Sequence, residues 1–374
     1  MRSRYAWNNI RVQRIVRQIT AFAVAVLLLL CVSCASVSYT DKYYTVFTDL
    51  YMTVSYYGGT DNGAEEIANT LNEQINPDVP TSYVARFNAM GKGEIEVSKS
   101  VYDMVLSSKR LYSLSGGAFD MTLGDLSKLW HVDHQSLEEY YPSSFPELPS
   151  YEQICAIEST MDKIGARSEN GKYYLTKTAD NAKIDLGAIA KGYLTDLVRD
   201  KLKENGVRSA LIDVSGNLSI VGKRYAEDGT KGAWKIGVNN CFRADGSYLC
   251  GLNIDGDLSV ITSGTYERGY KKDGVNVNHI IDPHTKMPVG IKYGNSVYSN
   301  TADHVISATV IGESGAMCDA VATAVCVMGI EDGAELIESL GLSALIVTAD
   351  GRYTSVGNIN FMQGNFYLNG LEKV

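Results

Sequence analysis

Cysteine is scarce in this chain, and the few that occur do not form a framework. Beyond the N-terminal tail only Cys155, Cys241, Cys250, Cys318 and Cys326 remain. That odd set has no CxxC pair and no tight Cys/His spacing, which argues against zinc. Cys241 and Cys250 flank the turn-rich run Arg243 to Ser247 and lie close enough in sequence to close a hairpin disulfide in an oxidising compartment, with free thiols as the default. A basic surface is also missing. The net charge is −9 and no Lys/Arg-rich face appears outside residues 1–20, which excludes a general nucleic-acid binder. No apolar run is long enough for a comfortable membrane span, and neither an internal repeat nor a clear linker is found. His131 and His134 sit in a polar, turn-rich stretch with no third ligand in view and read as surface histidines.

What is present is an ordinary globular composition, 45% hydrophobic and 21% charged over 374 residues, enough for one large domain or two smaller ones. The tail differs in kind. Arg2, Arg4, Arg11, Arg14 and Arg17 occur there without an acid, and an apolar run follows from Ala21 to Val32, the pattern of an export signal. It ends at Val32-Ser33-Cys34-Ala35, which resembles a bacterial lipoprotein cleavage site with Cys34 as the lipidated residue, although Cys31 stands where leucine is usual. Ordinary signal cleavage or an uncleaved anchor is the alternative. The expectation is a signal and anchor cysteine over residues 1–34, one globular domain over 42–374, and a protein working outside the cytoplasm, lipid-anchored to the bacterial cell membrane.

Periodicity gives the elements. Tyr43 to Tyr57 alternates β-branched and aromatic residues up to Gly58-Gly59 and predicts a hairpin or one long strand. Ala64, Ile67, Ala68, Leu71 and Ile75 form one helical stripe ending before Pro77, and a second helix runs from Ser100 to Leu114, stopped by Gly116-Gly117. Residues 135–150 read as a loop. A third helix is expected from Ala190 to Glu204, then strands at Ser209–Val214, Lys235–Val238, Leu258–Ile261 and Val305–Ile311. Helices at Met317–Met328 and Ala334–Leu340 and a hairpin turning at Asp350-Gly351 complete the chain. Strands and helices mix without strict βαβ alternation, so the class is α+β, a single mixed α/β domain.

Four segments combine glycine, a carboxylate and small residues. Gly116 to Thr122 follows a helix end, where bare backbone amides can meet a ligand or simply cap the helix. Lys183 to Gly192 passes from a strand into a helix, offering helix-start amides and the Lys191 ammonium to a phosphate and Asp185 to a ligand N–H or hydroxyl. It lacks the glycine spacing and Lys-Ser/Thr pair of a Walker loop. Thr262 to Arg268, with Asn278 to Thr285, supplies His279 as a base near neutral pH and Arg268 as a bidentate phosphate ligand, or else a turn-stabilising polar cluster. On the apolar helix Met317–Met328, Asp319 and Thr323 share one face at i and i+4. A buried carboxylate needs a partner, and Mg²⁺ takes oxygen ligands of this kind; alternatively Asp319 caps the helix.

In order along the chain, the blocks Ala85 to Asn88, Gly117 to Thr122 with Leu129-Trp130, Ile184 to Gly192, Ser215 to Asn217, Thr262 to Arg268, His279 to Pro283 and Asp319 to Thr323 resemble those of the ApbE-type FAD:protein FMN transferases. The likeness covers nearly all of the chain after the signal. It implies an ApbE-like (T-fold-like) fold that uses Mg²⁺ to cleave the pyrophosphate of FAD. FMN then passes to a Thr or Ser hydroxyl of a partner flavoprotein, such as a membrane redox subunit, with release of AMP. By motif, Ala118, Phe119, Asp120, Asp185, Lys191, Ser263, Gly264, His279 and Ile280 would line the FAD site. The metal would be held by the main-chain carbonyl of Ala188 with Asp319 and Thr323. His279 is the candidate base, with Asp282 as runner-up or orienting group, and Arg268 would steady the phosphate. The chain departs from the family pattern at Asn76 to Thr81, where many members carry a tyrosine that packs on the isoalloxazine ring. It departs again at Lys286-Met287, in place of a Thr-Gly-like turn, and at Ser215, where glycine is common. A Mg²⁺-dependent FAD pyrophosphatase of the same fold and a non-catalytic flavin-binding lipoprotein are the alternatives.

Overall fold

The computed structural model describes residues 36–47, 50–133 and 147–374. The signal stretch with Cys34, His134 and residues 135–146 of the expected loop lie outside the described residues. Two compact units are present. The smaller includes, among the described residues, 36–38 and Tyr225–Lys231, where the Val37 amide donates to the Glu227 carbonyl at 3.1 Å. The larger unit, Tyr39–Arg224 with Gly232–Val374, carries the features below.

The expected hairpin forms as β1 (Thr40–Val46) and β2 (Leu50–Tyr57), in register from Thr40 opposite Tyr56 to Val46 opposite Leu50. Next come α1 (Ala64–Ile75), α2 (Tyr83–Ala89), β3 (Gly93–Val97), α3 (Lys99–Leu114) and α4 (Gly124–Leu129). They are followed by β4 (Ile164–Glu169), β5 (Lys172–Lys177), α5 (Gly187–Glu204), β6 (Ser209–Val214) and β7 (Asn217–Val221). A hairpin of β8 (Trp234–Asn239) and β9 (Tyr248–Ile254) precedes β10 (Ser259–Gly264) and a second hairpin, β11 (Gly269–Lys272) with β12 (Val275–Asn278). The chain continues with β13 (Val305–Gly312), α6 (Gly315–Met328), α7 (Ile330–Ser339), β14 (Ser343–Thr348), β15 (Arg352–Val356) and β16 (Glu372–Lys373). Nine strands make the main sheet in the order β1-β2-β6-β7-β10-β13-β14-β15-β16, antiparallel throughout except for the final pair.

Strands whose residues are apolar on both sides serve two cores at once. Ile261 of β10, Val310 of β13 and Ile346 of β14 enter the core built with α5 and α6, while Val260, Ile311, Leu345 and Val347 enter a second core with the β8/β9 hairpin. Alternate side chains on a strand face opposite ways, so both faces of the sheet are covered. A third, smaller core gathers Leu126, Trp130, Ile154, Val275, Val277 and Met287 around the β11/β12 hairpin, with the indole N–H of Trp130 donating to the Lys286 carbonyl at 2.9 Å.

The structure departs from the sequence reading in identifiable places. Residues Ala182 to Leu186 form no strand. Instead the Asn88 side chain imitates a neighbouring strand: its Nδ2 donates to the Ile184 carbonyl at 2.9 Å and its Oδ1 accepts from the Ile184 amide at 2.8 Å. Helix α5 therefore begins at Gly187, before the apolar periodicity starts at Ala190. The sheet of β3, β5 and β4 gave no apolar alternation because Arg167–Glu94 and Lys172–Glu96 ion pairs lace its solvent side. His131 is half-buried, in the left-handed region at φ 54°, rather than a plain surface residue. Cys241 and Cys250 are buried free thiols, both pushed up to about 12 by loss of solvent.

Candidate active site

The site begins where two helices touch backbone to backbone. A Cβ added at Gly192 of α5 would stand 2.1 Å from the Gly315 carbonyl oxygen of α6 and 2.7 Å from the Asp319 Cβ. That approach lets the Gly192 amide donate across the interface to Asp319 Oδ2 at 2.9 Å. The other carboxylate oxygen, Oδ1, accepts from Asn217 Nδ2 at 2.9 Å, and the Lys191 Nζ stands 4.0 Å from it.

Asp319 is 1% exposed and does not cap its helix. Ser314 is the N-cap, its hydroxyl accepting from the Met317 amide at 3.3 Å, while Asp196 of α5 accepts from the Gly315 and Ala316 amides. One turn on, Thr323 Oγ1 donates to the Asp319 carbonyl at 3.3 Å and lies 3.3 Å from the Ser263 hydroxyl of β10. Ala188 is exposed in the first turn of α5, and a helical carbonyl points toward the amide four residues on, here that of Gly192. Asp319 and Thr323 share one face of α6, and Ala188 lies one helical turn before Gly192, whose amide reaches Asp319.

The remaining segments join this centre through the backbone. The Asp185 amide donates to the Met121 carbonyl at 2.7 Å, tying Gly116–Thr122 to the start of α5. Asp185 Oδ1 accepts from the Gly187 amide at 2.8 Å, so the carboxylate itself takes part of the helix start that the sequence offered to a phosphate. Within Gly116–Thr122 the helix-end and turn reading holds locally. Asp120 accepts from the Thr122 amide at 2.7 Å and hydroxyl at 2.6 Å, and also from the Ser159 hydroxyl. Ala118 and Phe119 are each 3% exposed, and Phe119 belongs to the main core, as does Ile280, also at 3%.

Near this centre, Lys191 and Arg268 lie within electrostatic reach of both Glu267 and His279. Glu267 keeps solvent contact as a residue, yet its carboxyl is pushed up by loss of solvent, with Lys191 and Arg268 pulling it down and Asp319 pushing it up. His279 is half-buried and well below the ordinary histidine range, first through loss of solvent around the imidazole, then through the positive charges of Arg268 and Lys191. Its Nδ1 lies 3.3 Å from the Arg268 carbonyl. A carbonyl accepts only, so Nδ1 carries the proton there and Nε2 keeps its lone pair.

Asp282 does something other than orient His279. It accepts from the His284 amide at 2.8 Å and from the Thr285 hydroxyl at 2.8 Å, and it faces His284 Nδ1 at 3.2 Å; His284 Nε2 in turn lies 3.1 Å from the Gly116 carbonyl. Its carboxylate builds the turn that clips this loop to Gly116–Thr122. Two of the departures from the family pattern sit at left-handed backbone, Ser215 at φ 47° and Lys286 at φ 62°, where glycine is sterically favoured. Asn217 carries no role of its own in the sequence; an asparagine directly after Ser-Gly was the available signal.

The fold and this junction define a class before any individual relationship. The architecture is shared with the flavin transferase ApbE of Vibrio cholerae, at a TM-score of 0.67 and 23% identity over 90% of this chain and 99% of the other. It is shared likewise with the apo flavinyl transferase ApbE of Pseudomonas stutzeri, at 0.67 and 26% over 87% and 95%. A family model, described as the ApbE family, matches residues 44–346. Relatives named FAD:protein FMN transferase include one from Treponema pallidum, 28% identical over 79% of each chain, and one from Klebsiella pneumoniae, 31% identical over 70% of this chain and 73% of its own. The chain belongs to the ApbE family.

Proposed function

We propose that this chain is a transferase that moves the FMN half of FAD onto a threonine or serine hydroxyl of a partner flavoprotein, forming a phosphoester and releasing AMP. The observation that carries the reading is the Asp319 carboxylate, 1% exposed at the junction of the family's motif segments, with two neutral N–H donors and one ammonium 4.0 Å away. Such a charge is costly to bury with its nearest ammonium only at 4.0 Å, and a directly bound cation offsets that cost. The donor set of a carboxylate, the Thr323 hydroxyl and the Ala188 carbonyl is all oxygen, which suits Mg²⁺. When bound there, Mg²⁺ supplies positive charge against the pyrophosphate oxygens.

The chain's own groups account for the rest. Lys191 and Arg268 bind phosphate oxygens, Arg268 from an exposed position. His279 is kept neutral, so Nε2 takes the proton of the attacking hydroxyl as its oxygen bonds to the FMN phosphorus and the bond to the AMP phosphate breaks. Main chain around Ala118, Phe119, Gly264 and Ile280, with Asp120, Asp185 and Ser263, lines the FAD site. The acceptor is a flavoprotein or membrane redox subunit, and the Arg-rich tail with Cys34 supports an enzyme held at the outer side of the bacterial cell membrane. The test is to incubate the full chain with FAD, Mg²⁺ and a flavin-acceptor domain and to weigh the acceptor by intact mass. A gain equal to FMN, absent in Asp319→Ala and without Mg²⁺, is expected. FMN and AMP released beside an unchanged acceptor would replace transfer with FAD hydrolysis, and no turnover would leave a binding protein.

A further inference from the structure

Asn217 opens β7 directly after the turn of the β6/β7 hairpin. β6 and β7 pair from Ala210 opposite Val221 to Val214 opposite Asn217, leaving Ser215 and Gly216 as a two-residue loop at φ 47° and 91°. Positive φ at both central positions is what a type I′ turn requires. The non-glycine position is clasped from β2: the Ser215 amide donates to the Tyr51 carbonyl at 3.1 Å, and the Ser215 hydroxyl accepts from the Tyr51 amide at 3.1 Å. On the far side, Asp213 Oδ1 accepts from the Gly216 amide at 2.7 Å. This braced turn delivers Asn217, itself 1% exposed, to Asp319 Oδ1.

We infer that Asn217 is a positioning residue for the cation at Asp319, fixing the orientation of the carboxylate for a small, strictly octahedral ion. The inference rests on the Mg²⁺ reading of the site. With Gly192 on Oδ2 and Asn217 on Oδ1, each oxygen already accepts one N–H, and the two bonds hold the carboxylate plane against rotation. Mg²⁺ binds carboxylates one oxygen at a time at short distance, whereas Ca²⁺ accepts bidentate carboxylates and irregular geometry. Freeing Oδ1 removes the restraint that favours the smaller ion.

The experiment titrates Mg²⁺ and, separately, Ca²⁺ into the full-length wild type, Asn217→Ala and the equally shaped Asn217→Asp by calorimetry, with near-UV circular dichroism on each. Loss of a group that orients a metal ligand typically costs roughly 10–100-fold in affinity, and that loss is expected for Mg²⁺ in Asn217→Ala. Ca²⁺ should weaken clearly less, and Asn217→Asp should also shift the Mg²⁺/Ca²⁺ ratio toward Ca²⁺. Unchanged Mg²⁺ affinity in Asn217→Ala, or equal weakening of both ions, would overturn the inference while leaving the Mg²⁺ site intact. Failure of both variants to fold would overturn it too, since the role would then be hairpin packing. A wild type that binds no Mg²⁺ at millimolar concentration would instead remove the reading on which it rests.

Discussion

Replacing Gly192 by alanine tests whether the site depends on the closeness of two helices. The added Cβ would stand 2.1 Å from the Gly315 carbonyl oxygen and 2.5 Å from its carbon, where ordinary contact starts at 3.4 Å. Both atoms are backbone, so no side chain can swing aside and α5 must move from α6 by about 1 Å or more. Overpacking of this kind costs about 1–3 kcal/mol. The shift also stretches the Gly192 amide bond to Asp319, 2.9 Å long and made to a buried carboxylate, worth about another 1.5–3 kcal/mol. The sum, about 2.5–6 kcal/mol, corresponds at roughly 1.5 °C per kcal/mol for a domain of this size to a Tm lowered by about 4–9 °C. Differential scanning calorimetry measures it, with Gly294→Ala as control because nothing lies within 4 Å of its added Cβ. A Gly192→Ala protein melting within about 1 °C of wild type would refute the argument that this contact is rigid.

Two further outcomes are expected. Asn88→Ala removes both bonds to Ile184 and leaves its buried main chain without that partner, a loss of about 2 kcal/mol; the Ile184 amide should exchange with solvent about 30-fold faster, and unchanged exchange would show that Asn88 does not hold this segment. His279 has its folded pKa below the unfolded value of 6.5, so the unfolded chain binds more protons between the two. Its contribution to stability is whole above about pH 6.5 and is lost as pH falls toward the folded value, with a slope of up to about 1.4 kcal/mol per pH unit. Urea unfolding from pH 7 to 5 should therefore show a shallower loss in His279→Gln than in wild type; parallel curves would contradict a depressed histidine.

The amino-acid sequence by itself determined the elements whose apolar residues recur with a clear period. Helix α1 lies at Ala64–Ile75 as its stripe dictates, α3 and α6 extend the expected bounds by one or two residues at the start, and the Tyr43–Tyr57 alternation becomes the β1/β2 hairpin. Local order suffices there because each residue's face is set by its own backbone period. The motif segments were legible as well, since glycine, carboxylate and lysine at short spacing are local facts. Tertiary structure alone decided which of these groups meet. No local rule separates an Asp319 that caps a helix from one buried between Gly192 and Asn217, because both donors come from more than a hundred residues earlier. Nor does any show that Asn88 stands in for a missing strand beside Ile184, or that the charged face of β5 pairs with β3 in a sheet. Each depends on partners distant in sequence, and their positions follow from closing the sheet and packing α5 on α6 rather than from any pattern carried within a segment.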